Sequence, residues 1–303
     1  MTSPKNNSLA KGILSDSKIG RLIEEAILED LGMGDITTEA IVPGEALGRA
    51  EIIVKEPGVI AGLEVAALVF QFVDPEVSLK TLRADGSRVE AAAAVAMVDG
   101  SLPSILKAER TALNFLQRMS GIATLTTKYV DAVKGTRAQI TDTRKTVPSL
   151  RILDKLAVQL GGGVNHRFGL DDMVLIKDNH IAAAGGIGPA MERCLRFLSD
   201  NKYAVKVEVE TKNLGEVREA LRHARIHRIM LDNFSLDVMR KAVGLVNHAV
   251  EVEASGKVSL DNVRKIAETG VDFISVGALT HSPKALDISL NIVGSPARSH
   301  SSF

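Results

Sequence analysis

The residues in this chain with the clearest capacity for chemistry are basic ones grouped between positions 144 and 177: Arg144 and Lys145, His166 and Arg167, and Lys177. Acids follow at Glu208, Glu210, Asp232 and Glu253. A site segregated in this way suits a polyanionic substrate on one side and a cation on the other. Arginine presents a planar fork that pairs carboxylates or phosphates bidentately, and lysine acts as a point charge. Carboxylates without nearby cysteine or clustered histidine favour a hard, oxygen-loving ion such as Mg²⁺. For any single residue the plain alternative is a surface ion pair. For the set, falling at consecutive strand ends, that alternative is much weaker.

Several smaller signals surround this group. Gly161-Gly162-Gly163 precedes His166, and three glycines permit the close backbone approach of a loop that wraps an anion, or simply a flexible turn. Ser255-Gly256 and Gly277 follow late strands, where backbone amides can hold a phosphate. Arg110 shares a helical stripe with Leu106 and Leu113, which sets its charge on or beside the apolar face. Cys194 lies among Met191, Leu195 and Leu198 and reads as a small buried hydrophobe.

Apolar spacing gives the elements that must position these groups. Ile19, Leu22, Ile23, Ala26 and Ile27 recur at helical period, and Leu63–Val73 is a second helix. Strand-like pieces at Glu51–Lys55, Val77–Leu82 and Ala92–Val98 do not alternate regularly with helices, which predicts an N-terminal α+β unit. Pro103–Lys134 is helical, with a break expected at Ser120-Gly121. After Gly135 short β-branched runs alternate with amphipathic helices: Gln139–Thr141, Met173–Ile176, Ala204–Val209, Arg228–Leu231, Ala249–Val252 and Phe273–Val276 are the strands. Each runs into charged residues or glycine. That is what a βα barrel needs at its catalytic rim, and it favours a barrel over an open doubly wound sheet. The expected organisation is a polar tail (1–15), an α+β sandwich (16–134), an incomplete (β/α) barrel (135–292) and a second tail (293–303).

Composition narrows the function classes. Lys+Arg and Asp+Glu balance at 37 each, which argues against a nucleic-acid or membrane-surface protein. One cysteine excludes a disulfide framework and a thiolate metal cluster. With no signal-like N-terminus and no run of 18 apolar residues, the expected location is the cytoplasm.

Taken together, Glu109–Thr124 (ERTALNFLQRMSGIAT), Thr141–Pro148 (TDTRKTVP), Gly161–His180 (GGGVNHRFGLDDMVLIKDNH), Val207–Glu210, Leu231–Asn233 and Val276–Ser282 resemble the quinolinate phosphoribosyltransferases. The N-terminal EDLGMGDITTEAIVP fits the same family, so the likeness runs from about Leu22 to Leu290. It implies a homodimer in which the sandwich of one subunit covers the barrel mouth of the other. It also implies that quinolinate and phosphoribosyl pyrophosphate react, with Mg²⁺, to nicotinate mononucleotide, pyrophosphate and CO₂. By motif, Arg144, His166, Arg167 and Lys177 line the quinolinate pocket, joined by Arg110 from the partner subunit. Lys145 reaches the phosphoribosyl donor, Glu208 and Asp232 hold Mg²⁺ or the ribose hydroxyls, and Ser255, Gly256 and Gly277 hold the 5′-phosphate. Lys257 departs from the family pattern, which often has glycine there.

The residue types agree with that chemistry. Two adjacent carboxylates on a pyridine ring require several fixed cations, and neutralising the pyrophosphate lets ribose C1 develop oxocarbenium character. The site mainly positions and stabilises charge, so no covalent nucleophile is needed. Competing readings are a paralogue acting on another anionic acceptor, a non-catalytic metabolite sensor, and a barrel aldolase. The last suits Lys177 poorly, because a Schiff-base lysine wants a less cationic pocket.

Overall fold

The computed structural model describes residues 17–294. The expected tail 1–15 lies outside them, as does the other tail beyond Gly294. The described residues divide into two compact units, and not at a single cut: 17–125, 147–162 and 282–294 form the first, and 126–146 with 163–281 the second. The chain therefore makes several crossings between the units. Long-range strand pairing explains the last of them, since the C-terminal strand completes a sheet of the N-terminal unit.

In the first unit, α1 (Ser17–Leu31) buries Ile19, Ile23 and Ile27, one residue per turn. Asp35 caps α2 (Ile36–Ile41) by accepting the Thr38 N–H at 2.9 Å. Strand β1 (Leu47–Val54) alternates buried and accessible residues, as a half-buried strand must. Next come β2 (Gly58–Val59), α3 (Leu63–Val73), β3 (Ser78–Thr81), β4 (Arg88–Val89) and β5 (Ala94–Ser101). Helix α4 (Leu102–Ala132) then runs without the break expected at Ser120-Gly121. Gly121 is there for packing: a Cβ on it would lie 2.2 Å from the Lys284 carbonyl oxygen. Helix α5 (Arg151–Leu160) belongs to the same unit, tied to α4 by the Arg118 fork on Asp154 at 2.8 and 2.7 Å.

The second unit is a six-stranded all-parallel sheet. Its strands are β6 (Gln139–Thr141), β7 (Val174–Ile176), β8 (Val207–Thr211), β9 (Arg228–Asp232), β10 (Glu251–Ser255) and β11 (Phe273–Ser275). Between them lie α6 (Asp178–Ala184), α7 (Ile187–Asp200), α8 (Leu214–Ala220), α9 (Leu236–Val246) and α10 (Val263–Ala267); α11 (Ala278–His281) follows β11. The final strand, β12 (Ile288–Gly294), pairs antiparallel with β1, giving the first unit's sheet the order β12-β1-β5-β3. Val293 and Gly294, expected in the tail, are thus strand.

The parallel sheet has the order β6-β11-β10-β9-β8-β7. An open doubly wound sheet reverses direction at a switch point. Here the order is circular instead: the last strand pairs with the first, and the ring is interrupted between β6 and β7. Only the isolated bridge Thr141–Val164 enters that interval. The second unit is therefore an incomplete α/β barrel, and its six strand C-termini converge on one mouth.

Candidate active site

A cavity of about 470 Å³ opens at the mouth, and among its lining residues are Arg144, Lys145, His166, Arg167 and Lys177. The sequence-predicted basic cluster is thus brought together. Asp232 and Ser255 line the same cavity from the ends of β9 and β10. Strand register explains this: Asp232 and Ser255 are Cα partners in the parallel ladder, so both side chains stand at one level of the rim.

The cations are crowded. Burial, and then the neighbouring Arg144, weaken the hold of Arg167 on its proton. Its Nη1 donates to the Met173 carbonyl at 3.0 Å, which aims the guanidinium. Two guanidiniums this close gain from an anion between them. Lys177 ends β7, and its backbone N–H donates to His180 Nδ1 at 3.0 Å. Its ammonium lies 3.8 Å from Glu210. Lys145 is held through its main chain: Thr280 donates to its carbonyl at 2.8 Å, and its own N–H donates to Thr143 Oγ1 at 3.0 Å.

The acidic side departs from the expectation. Glu208 is fully buried and is not among the cavity-lining residues; Glu210, two residues on, is. Both point to the inside of the barrel, because side chains on a strand alternate. Glu208 is one pleat deeper. Its Oε2 lies 3.1 Å from His166 Nε2, and the fully buried Glu253 lies 3.5 Å from the same nitrogen. Glu210 instead faces Asp232, Lys177 and Asp178, and burial, with Asp232 adding to it, pushes its carboxyl above the usual range. An oxygen-only pair open to the cavity suits a hard divalent ion. The deeper set of His166, Glu208 and Glu253 has its donor atoms within 4.8 Å of one another, but Arg228 Nη1 already occupies Glu253 at 2.8 Å. Of the two acids, Glu210 and not Glu208 lines the cavity beside Asp232.

Burial works against a charged His166 ring, but Glu208 and Glu253 outweigh it and raise its pKa to about 9. The Arg167 N–H also approaches His166 Nδ1 at 2.8 Å. The two carboxylates favour the protonated ring, and the Arg167 contact opposes it, because a cationic ring has no acceptor at Nδ1. Burial followed by the nearby Glu253 raises Glu208. Glu253 is itself burdened by burial yet ends below its ordinary range, because His166 and Arg228 more than compensate.

The glycines have other work than expected. The N–H groups of Gly161 and Gly162 donate to the Ala157 and Gln159 carbonyls, so they cap α5 and are not left for an anion. Gly256 has φ +94°, and a Cβ there would meet Asn233 Oδ1 at 2.4 Å; Asn233 in turn donates to Asp232 at 2.9 Å. A Cβ on Gly277 would press on Lys145 Cδ at 3.1 Å. Both glycines leave room for neighbours of the site. Arg110 is exposed on α4, in the first unit. Sequence reasoning missed Thr280 and Arg228. The signal for Arg228 was present, since it stands two and four residues before Met230 and Asp232 and so shares their face of β9.

A parallel βα sheet whose strand ends gather cations around an acidic pair defines an α/β-barrel enzyme for polyanionic substrates. Comparison with known proteins narrows the class. Profiles for the N- and C-terminal domains of quinolinate phosphoribosyl transferase match residues 35–120 and 122–291. The chain is 46% identical over 286 residues to a quinolinate phosphoribosyltransferase [decarboxylating] of Nicotiana tabacum named as mitochondrial, covering 89% of this chain and 81% of that one. It is also 46% identical over 275 residues to a probable nicotinate-nucleotide pyrophosphorylase [carboxylating] of Synechocystis, covering 89% and 91%. The solved nicotinate-nucleotide pyrophosphorylase of Francisella tularensis superposes with a TM-score of 0.86 at 40% identity, over 91% of this chain and 96% of that one. The chain belongs to the quinolinate phosphoribosyltransferase family and is a pentosyltransferase.

Proposed function

We propose that the chain transfers the phosphoribosyl group of phosphoribosyl pyrophosphate to quinolinate, with decarboxylation, giving nicotinate mononucleotide, pyrophosphate and CO₂ on the route to NAD. The observation that carries this reading is the crowding of Arg144, Arg167, His166 and Lys177 on one cavity beside Glu210 and Asp232. The cations take the two carboxylates of quinolinate and orient its ring nitrogen towards ribose C1, where entropy and charge placement supply most of the catalysis. Lys145 binds the phosphoribosyl donor. Ser255, with the turns at Gly256 and Gly277, receives the 5′-phosphate. Glu210 and Asp232 are the residues that would hold Mg²⁺, which when bound neutralises charge on the departing pyrophosphate.

Arg110, exposed on α4, is assigned to the pocket of a second copy in a homodimer, and the cytoplasm is the proposed compartment. Among the described residues, no helix is long and apolar enough to cross a membrane. One assay tests the core of the proposal: protein, quinolinate, phosphoribosyl pyrophosphate and Mg²⁺ are mixed and nicotinate mononucleotide is followed. Product with release of CO₂ is expected. Turnover of nicotinate but not quinolinate would sink the decarboxylating assignment. A sedimentation experiment showing a monomer at assay concentration would remove Arg110 from the site.

A further inference from the structure

The barrel interior below the cavity contains a buried charged array. Glu208, Arg228 and Glu253 come from three neighbouring strands, β8, β9 and β10, with Glu208 and Arg228 as Cα partners. Side-chain exposure is 0% for both acids, 10% for Arg228 and 6% for His166, which meets them from above. The Arg228 fork is fully committed. Its Nη1 donates to Glu253 at 2.8 Å, its Nη2 and Nε donate to Glu251 at 2.9 and 3.1 Å, and its carbon lies 3.9 Å over the Phe273 ring. His166 is held by its backbone and turns its ring to two acids. Its backbone N–H donates to the fully buried Asp142 at 2.8 Å, and its Nε2 faces Glu208 and Glu253.

Stability alone is a poor explanation for this arrangement. Burying ions costs several kcal/mol each, and packed apolar residues of the same volume generally serve a core as well or better. The array reaches the cavity through His166 and Glu253, both of which line it, while Glu208 and Arg228 stand behind them. A bare carboxylate at Glu253 would repel a dianionic substrate; the Arg228 guanidinium at 2.8 Å offsets it. A free imidazole would rotate; the Glu208 carboxylate 3.1 Å from Nε2 favours one orientation through its charge.

We propose that Glu208, Glu253 and Arg228 are positioning residues for the acceptor: the two acids favour one orientation of the His166 ring, and Arg228 offsets the charge that Glu253 would otherwise place on the cavity floor. Glu208 therefore acts on quinolinate through His166, and Glu210, two residues away, acts on the metal and the phosphoribosyl donor. This rests on the quinolinate reading of the cavity.

The test is direct quinolinate binding by equilibrium dialysis, with steady-state KM values for both substrates, on the full-length protein. Glu208→Gln is expected to raise the quinolinate Kd at least tenfold and to leave the KM for phosphoribosyl pyrophosphate within twofold. Glu210→Gln is expected to show the reverse. In a His166→Ala background, Glu208→Gln should add less than twofold, because its route to the substrate is gone. An unchanged quinolinate Kd, a loss confined to the phosphoribosyl donor, or an undiminished effect without His166 would each overturn the inference. Should Glu208→Gln not fold, Arg228→Lys carries the same prediction, since it keeps the charge and loses the fork. Wild-type protein that binds no quinolinate would fell the functional reading itself; wild-type binding with an insensitive Glu208 would fell only this inference.

Discussion

The two ends of the parallel sheet use the same kinds of side chain for opposite purposes. At the C-terminal mouth, a cavity of about 470 Å³ gathers Arg144, Arg167, Lys177 and His166. At the other end, a cavity of about 410 Å³ is lined by Arg137, Lys206, His227 and His248 with Glu251 and Asp272. Size does not separate them. At the base, Arg137 is paired with Asp272 and donates to His248 at 2.8 Å, and Arg228 and Lys206 converge on Glu251 at 2.9 and 3.9 Å. Asp272 also accepts the Val252 N–H at 2.9 Å, and His227 Nδ1 accepts that of Val207 at 3.0 Å. The base charges largely answer one another. At the mouth Arg144 and Arg167 lie close enough for each to disfavour the other's charge, and both open on the cavity. Like charges gathered on one cavity are an arrangement that an anion completes, whereas opposite charges already in pairs are not.

The strongest challenge to this contrast is Arg144→Ala or Arg167→Ala. Each removes one partner of a desolvated ligand contact, which costs about 2–5 kcal/mol, or roughly 30-fold to several thousand-fold in kcat/KM for quinolinate. Loss of less than threefold in steady-state turnover at both positions would erase the distinction between mouth and base.

Next in size is a pH effect. The pKa of His166 is raised to about 9, so its positive charge is present through neutral pH and disappears as pH rises through that value. Quinolinate affinity should therefore be flat from about pH 7 to 8 and fall around pH 9. The linked stability has the same sign: it is full below the ordinary histidine pKa of about 6.5 and is lost as pH passes the folded value. A quinolinate Kd, measured by dialysis across pH 6–10, that weakens instead around 6.5 would show a neutral ring.

At the base, Arg137→Met should leave turnover within twofold and lower the midpoint of thermal unfolding slightly. The pair is about half exposed on the arginine side, at 48%, so about 0.5–1 kcal/mol is expected. A catalytic defect with an unchanged melting curve would mean that the base serves function after all.

The smallest effect concerns Lys257. Its φ of +49° places a β-carbon in the left-handed region, the physical reason a glycine fits there. It is exposed and does not line the cavity. Lys257→Gly should gain about 0.5–1 kcal/mol of stability and leave the kinetics unchanged. Denaturant titration showing a loss of stability would point instead to a contact of the lysine side chain.

What the sequence by itself determined is the local and periodic part. Apolar spacing placed a helix at α1 and the sequence a helix-like piece at α3, and the strand–helix alternation after Gly135 specified a parallel sheet with charged strand ends. The TRKT and KDNH motifs named Arg144, Lys145 and Lys177 because these lie just beyond strand ends, whereas His166 and Arg167 come from the loop between α5 and β7. Tertiary structure decided the rest. Gly121 reads locally as a helix breaker, yet a chain passing at Lys284 requires it inside one unbroken helix. Gly161 and Gly162 read as an anion loop, yet their amides are consumed in capping α5. The sharpest case is Glu208 against Glu210. Both have the same type, strand and face, and nothing in the local pattern ranks them. Only the depth of each pleat in the barrel puts one beneath His166 and the other in the cavity. Depth is a property of the closed sheet, and a linear chain has no equivalent of it.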